Sequence, residues 1–165
     1  MKIQACALLA ICLFWIGSGL AHGEAVDGDD GVVAAASTYD RALAERLGAD
    51  ERGMRAYVLV ILKTGPTRVP DGEKRNEMFA GHFANMSRLS KAGKLVLAGP
   101  FTEDPDKWRG LFVFAVADVD EARSLVNTDP VIVNGEMVAE YHRWYGSAAT
   151  MMLPEIHDRL TPPPK

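Results

Sequence analysis

Six consecutive apolar residues, Tyr57 to Leu62 (YVLVIL), constrain this chain more than any other stretch. In a strand successive side chains point to opposite faces, so a run with no polar position is buried on both sides. Leu111 to Val116 (LFVFAV) reads the same way. Each strand therefore needs helices on one face and some other cover on the second. Lys94 to Ala98 (KLVLA) running into Gly99-Pro100 reads as another strand, and Met137 to Tyr145 (MVAEYHRWY) as a half-exposed fourth.

Between the first two strands, residues 64–74 hold two prolines and two glycines and read as loop. Arg75 to Ala92 follows with Phe79, Phe83, Met86 and Leu89 near helical spacing, Arg88 and Lys91 near the negative end of the dipole, and Gly93 as the stop. FTEDPDKWRG is a polar loop carrying Trp108. Asp118 is an N-cap for a helix from Val119 to about Thr128, which Asp129-Pro130 ends. The order strand, helix, strand, strand, helix, strand is the α+β, ferredoxin-like split βαβ arrangement, with both helices on one face of a four-stranded antiparallel sheet. A homodimer pairing two sheets is the simplest cover for the bare face.

At 165 residues the chain is long enough for one domain, and 48% hydrophobic with 24% charged excludes disorder of the whole. A net charge of −4 without a basic run excludes nucleic acid and anionic membrane surfaces as expected partners. Residues 1–21 read as a secretory signal: Lys2, an apolar stretch from Ala5 to Ile16, and Gly19 and Ala21 as the small residues before cleavage. The apolar core is shorter than a membrane span, so no stable anchor is expected after cleavage, and the destination is secreted or periplasmic. Cys6 and Cys12 leave with the signal, which removes thiol chemistry and disulfides. The expected layout is then an N-terminal extension over 22–55 with a helix from Thr38 to Leu47 capped by Ser37, a domain over 56–147, and a tail over 148–165 ending in Pro162-Pro163-Pro164.

Among the histidines, His82 lies mid-helix, four residues before Met86 and seven before Leu89, on or beside the sheet-facing stripe. An imidazole there can move a proton if a carboxylate orients it, or it is a buried histidine bonded to a backbone carbonyl. Asp129 is held extended by Pro130 and is either such a carboxylate or the start of an Asx turn. Gly99 and Pro100 allow close ligand approach or simply end a strand. Trp108 and Arg109 form a lid with an anion-binding guanidinium, or a surface pair. His142 is read as facing solvent or an interface, and Ser87 and Ser90 lack an elbow geometry. HExxH, GxSxG, Walker and GxGxxG patterns are absent, no ligand spacing points to a metal, and no cofactor is expected.

The segments YVLVILKTGP, GHFANMSRLSKAGKLVLAGPF, RGLFVFAV and TDPVIVNGEMVAEYHRWYGSAA, from Tyr57 to Ser147, resemble a YCII-related domain. The resemblance implies a dimeric α+β barrel domain related in fold to the muconolactone isomerase group, with one branch that dehalogenates chloromuconolactone. It also implies that His82 and Asp129 are an acid/base pair and that Gly99 and Pro100 line the site. The export signal, the N-terminal extension and the long loops at 64–74 and 100–110 depart from the bulk of that family. Two readings follow: a metal-independent lyase, isomerase or dehalogenase-like enzyme acting on a small carbonyl or lactone compound, or a non-catalytic dimeric protein that binds a small molecule or serves as an accessory subunit.

Overall fold

The computed structural model of the chain describes residues 39–103, 106–160 and 162. The signal reading and Ser37 lie outside the described residues.

The double-faced apolar run becomes β1, Met54–Thr64, and Tyr57, Val58, Val60, Ile61 and Leu62 of it are buried. β3, Trp108–Phe114, flanks it on one side and β4, Met137–Ser147, on the other, while β2, Leu95–Pro100, lies outside β3. All neighbouring pairs are antiparallel. With α2, Glu73–Lys91, and α3, Val119–Val126, the chain has the expected α+β ferredoxin-like arrangement. Val58, Val60 and Leu62 meet Phe112 and Phe114 of β3, Met78 and Leu89 of α2, and Ala122 and Val126 of α3 in one buried cluster. Asp118 caps α3 as expected, its carboxylate accepting from Asp120 N–H at 2.8 Å. Gly93, at φ 66°, takes the left-handed turn that ends α2 and that a residue with a Cβ rarely adopts.

Four local readings are corrected. The first helix, α1, is Arg41–Leu47 and starts at Asp40, whose carboxylate accepts from Leu43 N–H at 2.9 Å. The pair Trp108-Arg109 is part of β3, because pairing with β1 continues to Lys63↔Trp108. Asp129-Pro130 ends α3 but also opens a further turn, α4, Pro130–Val133, since proline is tolerated at the first helical position. Finally, the tail folds in part: Ser147 caps a 3₁₀ turn over Ala148–Met152, which runs into α5, Leu153–Leu160.

That tail supplies some of the cover the bare sheet face needs. Met151 packs on a second buried cluster of Tyr57, Val96 and Val113, on the face opposite α2 and α3. Tyr57 donates to the Ser147 carbonyl at 2.9 Å and its ring lies 5.3 Å from that of Trp144. Leu59 and Leu111 stay half-buried and Leu97 is 41% exposed on the same face. No helix among the described residues is long and apolar enough to cross a membrane.

Candidate functional site

The buried stripe of α2 is Met78, His82, Asn85 and Leu89, so two polar side chains lie in a row of core residues. His82 is 8% exposed. It meets Asp129 because α2 and α4 approach closely at Gly81, where an added Cβ would sit 2.9 Å from the Pro130 ring. Asp129, 1% exposed, is the N-cap of α4 and accepts from Val131 N–H through Oδ1 at 3.1 Å. Both readings of this residue therefore hold together, for the carboxylate that makes the local turn also reaches the histidine.

His82 Nδ1 lies 2.8 Å from Asp129 Oδ2 and 3.0 Å from Oδ1. An ionised carboxylate has no hydrogen to give, so in this pair the oxygens of Asp129 accept and Nδ1 carries the hydrogen. The imidazole is thereby set in the tautomer with its lone pair on Nε2. Phe112 stacks at 6.1 Å between centroids and 24° between planes, Phe79 meets the ring edge-on at 6.2 Å, and Phe83 lies tilted at 5.3 Å. These rings fix the plane of the imidazole. Nε2 has no hydrogen-bond partner among the described residues. The His82 side chain keeps 10% of its surface exposed. A base of this kind is oriented from behind and flanked by aromatic rings.

A second buried acid, Glu136, was not singled out by the sequence reading. It is 3% exposed, its Oε1 accepts from Arg75 at 2.8 Å, and its Oε2 accepts from Val69 N–H at 2.8 Å. Arg75 also donates to the Val69 carbonyl and covers the Phe79 ring at 4.9 Å. The loop over 64–74 is thus tied to the start of β4, and the tie reaches the edge of the histidine site through Phe79. The Arg75 hydrogen bond, helped by the Val69 amide, holds the Glu136 carboxyl below the usual glutamate range. Its contribution to stability is full above the ordinary glutamate value, about 4.3, and is lost as the pH falls through the depressed folded value. Glu136→Gln is expected to flatten the fall of melting temperature between neutral and acid pH. Parallel curves for variant and wild type would show that this charge does not hold the loop.

The remaining candidates gather at the end of the β2–β3 hairpin, apart from the histidine. A β-bulge opposite Leu62 and Lys63 leaves Arg109 as the extra residue between Trp108 and Gly110. Trp108 then packs against Phe101 at 5.5 Å and under Lys63 at 5.9 Å. Arg109 turns to Glu136, with Nη1 4.0 Å from Oε1. Pro100 pairs with Gly110 in register, and a Cβ on Gly99 would meet open space. Arg109 connects to the histidine through a chain of contacts that runs by way of Glu136, Arg75 and Phe79. Among the described residues no group of three or more histidines, cysteines or acids is placed to hold a metal ion. His142 is exposed and pairs with Glu140 at 2.9 Å.

An uncharacterised protein YjpA of Bacillus subtilis (strain 168) is 27% identical over 92 residues, which are 55% of this chain and 95% of that protein. Among solved structures, the 5-chloro-2-hydroxyhydroquinone dehydrochlorinase TftG of Burkholderia phenoliruptrix AC1100, in complex with 2,5-dihydroxybenzoquinone, aligns with a TM-score of 0.41 at 24% identity, over 53% of this chain and 92% of its own. The family model for the YCII-related domain matches residues 54–144, from the first residue of β1 to Trp144 of β4, more than half of the chain. This chain belongs to the YCII-related domain family.

Proposed function

We propose that this protein is an exported enzyme that abstracts a proton beside a carbonyl of a small lactone or related ring compound, with His82 as general base and Asp129 as the carboxylate that orients it. One observation carries the reading: Nδ1 is bonded to a buried carboxylate while Nε2 has no hydrogen-bond partner among the described residues, on a side chain that is 10% exposed. In the reaction, Nε2 takes the proton from the carbon and the C–H electron pair moves into the carbonyl to form an enolate. Asp129 stabilises the imidazolium that results. The enolate then reforms the carbonyl in one of two ways. It expels a leaving group such as chloride from the next carbon, or it takes the proton back from Nε2 at a different carbon, which gives an isomer. In this scheme the aromatic walls, Phe79, Phe83 and Phe112, suit a flat, partly apolar substrate. A second copy of the chain is the occupant assigned to the remainder of the open sheet face, at Leu59, Leu97 and Leu111, and light scattering on the purified protein should give twice the chain mass.

A binding function without catalysis is favoured by a different feature. A groove of about 570 Å³ between α2, β2 and α5 is lined by Phe83, Met86, Leu97 and Ile156, and by neither His82 nor Asp129. The two readings separate in heavy water. Incubation with unsaturated γ-lactones, with and without chlorine, is expected to place deuterium beside the carbonyl and to release chloride from the chlorinated members. Binding of these compounds without exchange or release would favour the second reading.

A further inference from the structure

One turn along the stripe from His82, Asn85 is 8% exposed and is held in one orientation. Arg88 Nη2 lies 2.6 Å from its Oδ1. A guanidinium is a donor only, so the amide atom that faces it must be the oxygen. Arg88 also donates to Thr128 Oγ1 at 3.0 Å. That hydroxyl lies 3.1 Å from Asn85 Oδ1 and 2.7 Å from the Leu125 carbonyl, and its one hydrogen serves one of the two. The carbonyl end of Asn85 is therefore held by Arg88 of the same helix and lies beside Thr128, the residue before Asp129. The nitrogen end is not. Nδ2 makes no hydrogen bond among the described residues, and the residue keeps 8% of its surface exposed. Residues three apart on a helix have their Cβ atoms about 5–6 Å from one another. Two mostly buried polar side chains one turn apart on one stripe thus each hold a nitrogen without a hydrogen bond among the described residues, one an acceptor and one a donor.

We propose that Asn85 is a second substrate-contacting residue, whose Nδ2–H₂ donates to the oxygen that becomes negative when His82 removes the proton. The inference rests on the general-base reading above and adds that the ligand class is an enolate or phenolate-like oxyanion. A neutral donor on a fixed amide suits this task, because it stabilises developing charge without changing the charge state of the adjacent imidazole. The side chain needs no reorganisation at the moment of reaction, since Arg88 and Thr128 already hold it.

The probe is 4-nitrophenol, titrated into the folded protein at a pH where the phenol is ionised, with the side-chain amides ¹⁵N-labelled. Bound phenolate is expected to shift the Asn85 Nδ2–H₂ resonances. Asn85→Asp keeps an acceptor for Arg88 and Thr128 but replaces the free donor with an acceptor. It should retain the melting temperature, bind the phenolate at least about tenfold more weakly, and lower kcat for deuterium exchange by about 10²–10³ with a smaller change in KM. An unmoved amide signal at saturation, no phenolate binding by wild type, or equal binding by folded Asn85→Asp each overturns the proposal. Exchange by wild type without a response at Asn85 removes the oxyanion contact and leaves the general base. A response at Asn85 without exchange on any lactone removes the general base and leaves an anion site.

Discussion

His82→Ala is expected to lose about 10²–10⁴-fold in kcat for proton exchange on the lactone panel, the contribution of a positioned acid or base. The domain should stay folded, because the sheet core of Val58, Val60, Phe112 and Phe114 does not depend on the imidazole. Some stability is nonetheless lost. Without the ring, the carboxylate of Asp129 keeps the Val131 amide but loses its other partner while still buried, a penalty of about 1–3 kcal/mol. His82→Gln refills part of the space and offers Asp129 an amide donor, so it should recover stability without recovering turnover. Wild-type exchange in either variant, with circular dichroism showing the native fold, would end the catalytic reading.

Substitution of Asp129 separates orientation from structure. Asparagine is as good an N-cap as aspartate, so Asp129→Asn is expected to keep α4 and most of the stability. Its amide can turn an N–H towards His82 Nδ1, which moves the imidazole hydrogen to Nε2 and removes the lone pair that attacks substrate. Turnover should fall by about 10²–10⁴-fold, as for loss of the base itself. Asp129→Ala should lose as much activity and, in addition, stability: about 1 kcal/mol for the missing cap, and about 1–3 kcal/mol for a buried imidazole nitrogen left unpaired. Thermal melts and exchange assays on the two variants give the comparison. An Asp129→Asn enzyme with the wild-type rate would show that the carboxylate serves only the helix turn.

How much of this was readable from the sequence follows from the range of the forces involved. β1, α2 and α3 announce themselves because their signals are local: an unbroken apolar run, a stripe at helical spacing, Gly93 after α2 and Asp118 before α3. The resemblance to the family named His82 and Asp129, but their contact depends on how close two helices pass. The determinant is the missing side chain at Gly81 against the Pro130 ring, which is a property of the packed fold. Pro130 reads as a breaker and is also a starter, so α4 was hidden behind the end of α3. Glu136 stands between the end of one helix and the start of the last strand, where the sequence pattern marks no element, and the Arg75 that makes its burial tolerable lies far away along the chain. The bulge at Arg109 had no compositional mark, because it arises from a mismatch in the register of two strands.

The pairing of β1 with β4 has a consequence for the birth of the protein. Every residue from Met54 to Thr64 has its partner between Met137 and Ser147. The centre of the sheet therefore waits for its last strand to be made, and Met151 packs on it later still. Contacts so distant in sequence close slowly. Until then one edge of β1, the strand that ends at the centre of the sheet, stands unpaired, a state that a holding chaperone can recognise.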